Sequence, residues 1–223
     1  MGNKYYARSK ISEAKFRRLL RCFALDLTAT ETAVMTGLSV RSVNAIYLRI
    51  RERLAEACET QSPFSGQVKI DESYFGPTRV RGKRGRGAGG KTIVFGILKR
   101  AGQVFTQVVP NCSKAALLKV IRSHVKKRST IHSDGWKAYD GLVDMGYQKH
   151  TRVNHGKNEF ARGKSHINGI ESFWSYAKRR LAQFNGIPKA TFYLHLKECE
   201  FRFNHRHSDL YQSLLKLLRS HPL

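Results

Sequence analysis

A chain of 223 residues with 41% hydrophobic and 10% aromatic side chains can build a core, so wholesale disorder is excluded. It sets 41 Lys and Arg against 16 Asp and Glu, a formal net charge of +25, which points to a polyanionic partner: nucleic acid first, an anionic membrane surface second. No apolar stretch approaches the roughly 20 residues that span a bilayer, and the N-terminal "MGNKYYARSKISEAKF" has no secretory h-region, so a cytoplasmic, nucleoid-associated protein with no membrane partner is expected.

Residues 1–60 read as a small helical head. In "ISEAKFRRLLRCFALD" the apolar positions Ile11, Phe16, Leu19, Leu20 and Phe23 recur at helical spacing with basic residues between them. Thr28 and Glu31 make a capping box that opens a short helix, and Gly37 suits its left-handed end. Ser39 caps a further helix to about Leu54. Two helices joined by a tight glycine-containing turn resemble a helix-turn-helix. Val43 and Ile46 then face inward, while Arg41, Ser42, Asn44 and Arg49 are the candidates for contact with a DNA groove. Residues 61–66, with Pro63 and Gly66, read as a linker.

From residue 67 the periodicity changes. "QVKIDESYF" reads as a strand. "KTIVFGILKR" and "QVFTQVVP" read as a hairpin about Ala101 and Gly102. "SKAALLKVIRSHV" is a helix with Leu117, Ile121 and Val125 on one face, "STIHSD" a short strand ending at an acid, "GWKAYDGLVDMG" a short helix and "YQKHTRVNH" a fifth strand. "HINGIESFWSYAKRRLAQ" and "KATFYLHLKECEFRFNHR" close the pattern as helices. This order predicts a mixed α/β sheet of five strands covered by helices over 67–223. Between the first and second strands "GPTRVRGKRGRGAGGK" is basic and glycine-rich, and Arg81, Lys83, Arg84 and Arg86 read as an arm for DNA phosphates.

The acids are few, and no carboxylate lies between Glu72 and Asp134. Strings "DESYFG", "HSDGWKAY", "VNH" and "INGIESFWSYAKRRL", in this order, resemble the bacterial insertion-sequence transposases of the DDE group, whose fold is RNase H-like and related to that of retroviral integrases. The resemblance implies that Asp71, Asp134 and Glu171 are the catalytic carboxylates and hold Mg²⁺, with Mn²⁺ as a substitute and two ions expected. It implies that Lys178, seven residues after Glu171, contacts the DNA end. Asn168 and Trp174, each one turn from Glu171, are possible auxiliaries, the tryptophan read first as core and second as a base-stacking surface. Alternation sets Glu72 on the strand face of Val68 and Ile70, without itself choosing between Asp71 and Glu72, and the resemblance chooses Asp71.

Many members of the group open with a zinc ribbon. The four cysteines here form no CxxC pair, so no zinc and no disulfide framework are expected, and the grouping of His195, Cys199, His205 and His207 matches no standard ligand set. The expected activity is binding of terminal inverted repeats, strand cleavage and strand transfer, by a homodimer or larger assembly on double-stranded DNA. A helix-turn-helix transcriptional regulator shares the head and charge without needing three spaced acids. An RNase H-like nuclease shares the acids without joining strands.

Overall fold

The computed structural model describes residues 2–61, 64–76, 90–99, 102–134, 147, 149–153 and 169–223, with only the backbone described at 134 and 149–153. The helix expected at 135–146, the basic arm with Arg81, Lys83, Arg84 and Arg86, and Asn168 lie outside the described residues.

Three helices open the chain, α1 (Glu13–Ala24), α2 (Ala29–Thr36) and α3 (Val40–Glu59). Each starts at a side-chain cap: Ser12, Thr28 and Ser39 accept the backbone N–H groups of Lys15, Glu31 and Ser42. The α2 start is a full capping box, since Glu31 also accepts the Thr28 N–H at 2.8 Å. Gly37 ends α2 with φ 65°, where a side chain would be strained, and donates its N–H to the Ala33 carbonyl. Phe16, Leu19, Leu20, Phe23, Val43, Ile46, Ile50 and Leu54 form the apolar centre of this head. The buried hydroxyls of Thr32 and Tyr47 satisfy one another at 2.7 Å.

The head does not close on residues 1–60 alone. A helix that sequence reading left undescribed, α7 (Leu210–Ser220), inserts Leu214, Leu215 and Leu218 into the same cluster, together with Phe201. The ends of the chain are stitched here too, by Ala7 N–H to the Leu223 carbonyl and Leu223 N–H to the Tyr5 carbonyl, both 3.0 Å. In the expected linker, Phe64 is buried and exchanges backbone hydrogen bonds with His124 and Lys126.

Five strands, β1 (Gln67–Phe75), β2 (Thr92–Lys99), β3 (Val104–Val109), β4 (Thr130–Asp134) and β5 (Lys149–Val153), pair in the order β3-β2-β1-β4-β5. The first three are antiparallel, and β1–β4 and β4–β5 are parallel. Helix α4 (Lys114–His124) covers one face with Leu117, Val120 and Ile121, packed on Val68, Ile70, Phe95, Ile97 and Phe105. The helix stops one residue short of Val125, which stays buried in the same cluster. Helices α5 (Gly169–Ala182) and α6 (Lys189–Asn204) cover the other face, where Ile170, Phe173, Trp174 and Leu196 meet Phe75, Val94, Leu98 and Val104.

A buried ionic network joins head to sheet. Glu198 of α6 is fully buried and accepts from Arg51 of α3 at 2.7 Å, Arg180 of α5 at 2.5 Å and Arg202 of α6 at 2.9 Å. Asp26, at the turn after α1, takes a second bond from Arg180 at 2.5 Å, and Arg202 also caps the carbonyls of Phe23 and Ala24. Burial alone raises a carboxyl pKa, but the three guanidiniums overcome it and hold Glu198 down at about 2. Beside it Lys197, also buried, bonds Glu59 at 2.9 Å and Glu200 at 3.1 Å, and Glu200 accepts the Thr106 N–H of β3 at 2.7 Å.

Candidate active site

Along β1 the side chains alternate between the two helical layers. Val68 and Ile70 belong to the α4 core and Phe75 to the α5 core. Lys69, Asp71 and Ser73 share the parity of Phe75 and lie on the α5 side, whereas Glu72 shares that of Val68 and Ile70. Helix α5 crosses this face and makes two polar contacts with it. Lys69 Nζ bonds Glu171 Oε1 at 2.5 Å, and Trp174 Nε1 donates to Asp71 Oδ2 at 3.0 Å. Glu171 and Trp174 are one helical turn apart, and Lys69 and Asp71 are one strand repeat apart, so the paired contacts set helix against strand.

Two glycines permit this approach. Gly96 of β2 stands opposite Asp71 in the ladder, and a Cβ there would lie 2.5 Å from Trp174 Cζ2. Gly169 begins α5, and a Cβ there would lie 2.5 Å from Leu98 Cδ2. Neither has a positive φ; what each position requires is the missing side chain.

Asp134 ends β4 beside β1. The β1–β4 ladder pairs residues 63 apart, as in Gln67 with Thr130 (130 − 67). The same separation divides Asp71 from Asp134 (134 − 71), so the register carried two residues past the last pair, Lys69 with His132, sets the Asp134 backbone level with Asp71. Among the described residues no three His, Cys, Asp or Glu side chains cluster as a metal-ion site, and the Asp134 side chain lies outside them.

The Glu171 side chain is 45% exposed, yet its Oε2 is buried and has no hydrogen-bond partner among the described residues. A buried carboxylate oxygen without a donor carries a desolvation cost that a cation would relieve. Carboxylate oxygens are the hard donors that Mg²⁺ or Mn²⁺ takes, so Glu171 together with Asp71 fits such an ion.

Lys178 is exposed two turns beyond Glu171, and its Nζ lies 5.8 Å from the centre of the Phe75 ring, on the strand face of Asp71. In the head, Arg41 and Asn44 are exposed on α3, Ser42 is tied to the cap through Ser39 Oγ at 2.8 Å, and Arg49 donates to Tyr6 at 3.1 Å. Asn44 also lines a cleft of about 270 Å³ with Asp26, Arg51, His195 and Glu198. Burial, then the nearby Arg51, lowers the His195 pKa to about 4, so that ring is neutral at pH 7. Cys199 is buried beside Arg180, and His205 Nδ1 meets the Phe201 carbonyl at 2.8 Å.

Lys69 and Gly96 went unread in the sequence. Alternation could have found the lysine, which stands two residues before Asp71 and therefore on its face. Gly96 carries a weaker signal, a glycine inside the apolar run "TIVFGILK".

A basic chain that sets carboxylates where a sheet meets a covering helix has the makings of an enzyme acting on nucleic acid. The chain belongs to the family of the ISXO2-like transposase domain, whose model matches residues 63–204, and is a DNA transposase. It is 47% identical over 116 residues, covering 52% of this chain and 93% of the relative, to an uncharacterized transposase-like protein of Haemophilus influenzae. It is 31% identical over 201 residues, covering 78% of this chain and 67% of the relative, to an uncharacterized protein in transposable element ISH50 of Halobacterium salinarum. Among solved structures, the Mos1 mariner paired end complex with Mn aligns with a TM-score of 0.34 at 13% identity, over 95% of this chain and 79% of that one. The Mos1 strand transfer complex aligns with a TM-score of 0.33 at 13% identity, over 95% and 78%. No described helix is long and apolar enough to cross a membrane.

Proposed function

We propose that this transposase has an RNase H-like DDE catalytic domain, with Asp71, Asp134 and Glu171 as its carboxylates, and that it cleaves and joins DNA strands with two divalent ions, Mg²⁺ or Mn²⁺. The observation that supports the reading is the convergence on the central strand of the sheet: Asp71 of β1 and Glu171 are cross-tied through Trp174 and Lys69, and the β4 register is level with Asp71 at Asp134. Bound at the carboxylates, such ions supply an activated nucleophilic oxygen and stabilise the leaving one.

The chain's own groups do the rest. Asp71 and Glu171 offer oxygens held by a strand and a helix, so their separation is fixed before ions arrive. Lys69 neutralises Glu171 in the ion-free protein and lessens the repulsion among the acids. Lys178, exposed on the same helix, draws the phosphate of the DNA end toward Glu171. The head acts as a helix-turn-helix: α2 packs across α3, and Arg41 and Asn44 of α3 reach the bases of the terminal repeats, with Ser42 and Arg49 beside them. The basic arm carrying Arg81, Lys83, Arg84 and Arg86 tracks phosphates, Asn168 assists the carboxylates, and the working form is a homodimer or larger assembly on two DNA ends.

The test is strand transfer of a pre-cleaved element end in Mg²⁺. Wild-type protein is expected to join it to target DNA, while Asp134→Asn binds the end and neither cleaves nor joins. Retained cleavage by Asp134→Asn in Mg²⁺ or Mn²⁺ removes Asp134 from the site. Cleavage without joining by the wild type favours a nuclease.

A further inference from the structure

We propose that Trp174, seated on Gly96, is the positioning residue of the Asp71 carboxylate, holding it turned for a divalent cation. The inference rests on Asp71 being a metal ligand.

The geometry begins with a glycine in an unfavourable place. Gly96 lies inside β2, where glycine contributes no packing and weakens the strand. Its ladder partner is Asp71, and the space above it is filled by the six-membered edge of the Trp174 indole. A Cβ at Gly96 would stand 2.5 and 2.7 Å from two ring carbons and 3.2 Å from Ile170 Cδ1, so a side chain there and the ring cannot both occupy their positions. The indole is also confined laterally. Phe75 meets it edge-on at 6.1 Å and Phe173 tilts against it at 5.1 Å. With Trp174 only 5% exposed, the ring has one seat, and in that seat Nε1–H points at Asp71 Oδ2, 3.0 Å away.

A buried indole N–H needs an acceptor, and a core could provide a backbone carbonyl for it. Here the acceptor is the carboxylate that the proposed chemistry depends on. A carboxylate on a strand rotates freely about its terminal torsion unless something fixes it. A charge-assisted bond from a ring that cannot move fixes that rotation before the cation arrives. Trp174 touches neither DNA nor metal in this account, and acts through Asp71. Phenylalanine at 174 would fill most of the volume and give no bond, whereas alanine at 96 would keep the donor and push it away.

The experiment measures Mn²⁺ affinity of the DNA-free, full-length protein by electron paramagnetic resonance of the free ion. Circular dichroism and melting confirm that each variant is folded. Trp174→Phe and Gly96→Ala are each expected to bind Mn²⁺ about 10- to 100-fold more weakly, the range for losing a partner that orients a metal ligand. A benzothiophene analogue of tryptophan at 174 keeps the ring shape without the N–H, and is expected to show the same loss. Affinity equal to wild type in the analogue protein overturns the proposal, because only the donor has been removed. Asp71→Asn serves as the reference: if it too binds Mn²⁺ like wild type, the metal-site reading itself has failed. If it loses binding while the analogue does not, the positioning role alone falls.

Discussion

Replacing Glu198 by glutamine keeps the shape of the side chain and removes its charge, leaving Arg180 and Arg202 to share Asp26 and taking from Arg51 the carboxylate it bonds. The group is held at a pKa of about 2 in the folded chain against an ordinary 4.5, despite full burial. The gap between those values corresponds to about 3 kcal/mol of stability at pH 7, at the lower end of the roughly 3–5 kcal/mol lost when a buried pair is broken. For a chain of this size that is a fall of roughly 6–12 °C in melting temperature. The sign follows from a depressed carboxyl. The contribution is complete above pH 4.5 and is lost as pH falls toward 2, as wild-type Glu198 takes up a proton. Denaturant unfolding of Glu198→Gln and wild type, at pH 7 and pH 3.5, is the assay. The difference between them is expected to be about 3 kcal/mol at pH 7 and about 1 kcal/mol smaller at pH 3.5. A difference under about 1 kcal/mol at pH 7, or one that does not change with pH, would refute the assignment of Glu198 as the charge that holds this network.

Deleting residues 1–60 strips the cover from Leu214, Leu215 and Leu218, each worth about 2 kcal/mol of burial, and removes Arg51 from Glu198. The truncated protein is expected to aggregate or melt early on a thermal scan, so the contribution of the head to end recognition is better read from Arg41→Ala with Asn44→Ala, which should lose preference for element ends over random DNA in a competition assay. Lys178→Ala is expected to leave Mn²⁺ affinity intact and to lower the salt slope of DNA binding by about one contact. Its cleavage rate should fall more than its DNA affinity, as followed on a labelled end, because the lysine acts on the placement of the phosphate.

Local chemistry was legible because the chain writes it locally. The capping box at Thr28 and Glu31, the turn at Gly37 and the alternation along β1 each depend on neighbours within four residues, and each is found where spacing put it. What sequence reading missed are pairings between distant positions. Nothing near Arg51 announces Glu198, 147 residues away, and nothing near Asp26 announces Arg180. Helix α6 was legible as a helix but not as a charged core element, since Lys197, Glu198, Glu200 and Arg202 look like a solvated face until the sheet and head close on either side. The available hint was "ECEFR", two acids and an arginine at i, i+4 after a long acid-free run. The separation of Asp71 from Asp134 carried another, because it equals the register offset of two adjacent parallel strands.

The ionic network also bears on how the two halves of the chain work together. Arg180 sits on α5, nine residues beyond Glu171, and binds both Asp26 of the head and Glu198 of α6. The helix that carries one proposed catalytic carboxylate is thus bonded directly to the turn that opens α2. A surface ion pair would leave that connection loose and screened by salt. A buried one, with burial lowering the Arg180 pKa and Glu198, Cys199 and Asp26 together more than restoring it, stays charged and directional. Phe201 and α7 add an apolar attachment beside it. Head and sheet are therefore joined through α6 and its buried ion pairs rather than being two bodies on a tether. On the proposed reading, DNA gripped by the head is presented to Asp71 and Glu171 from a fixed direction, and the freedom needed to bring two DNA ends together has to come from the association of chains.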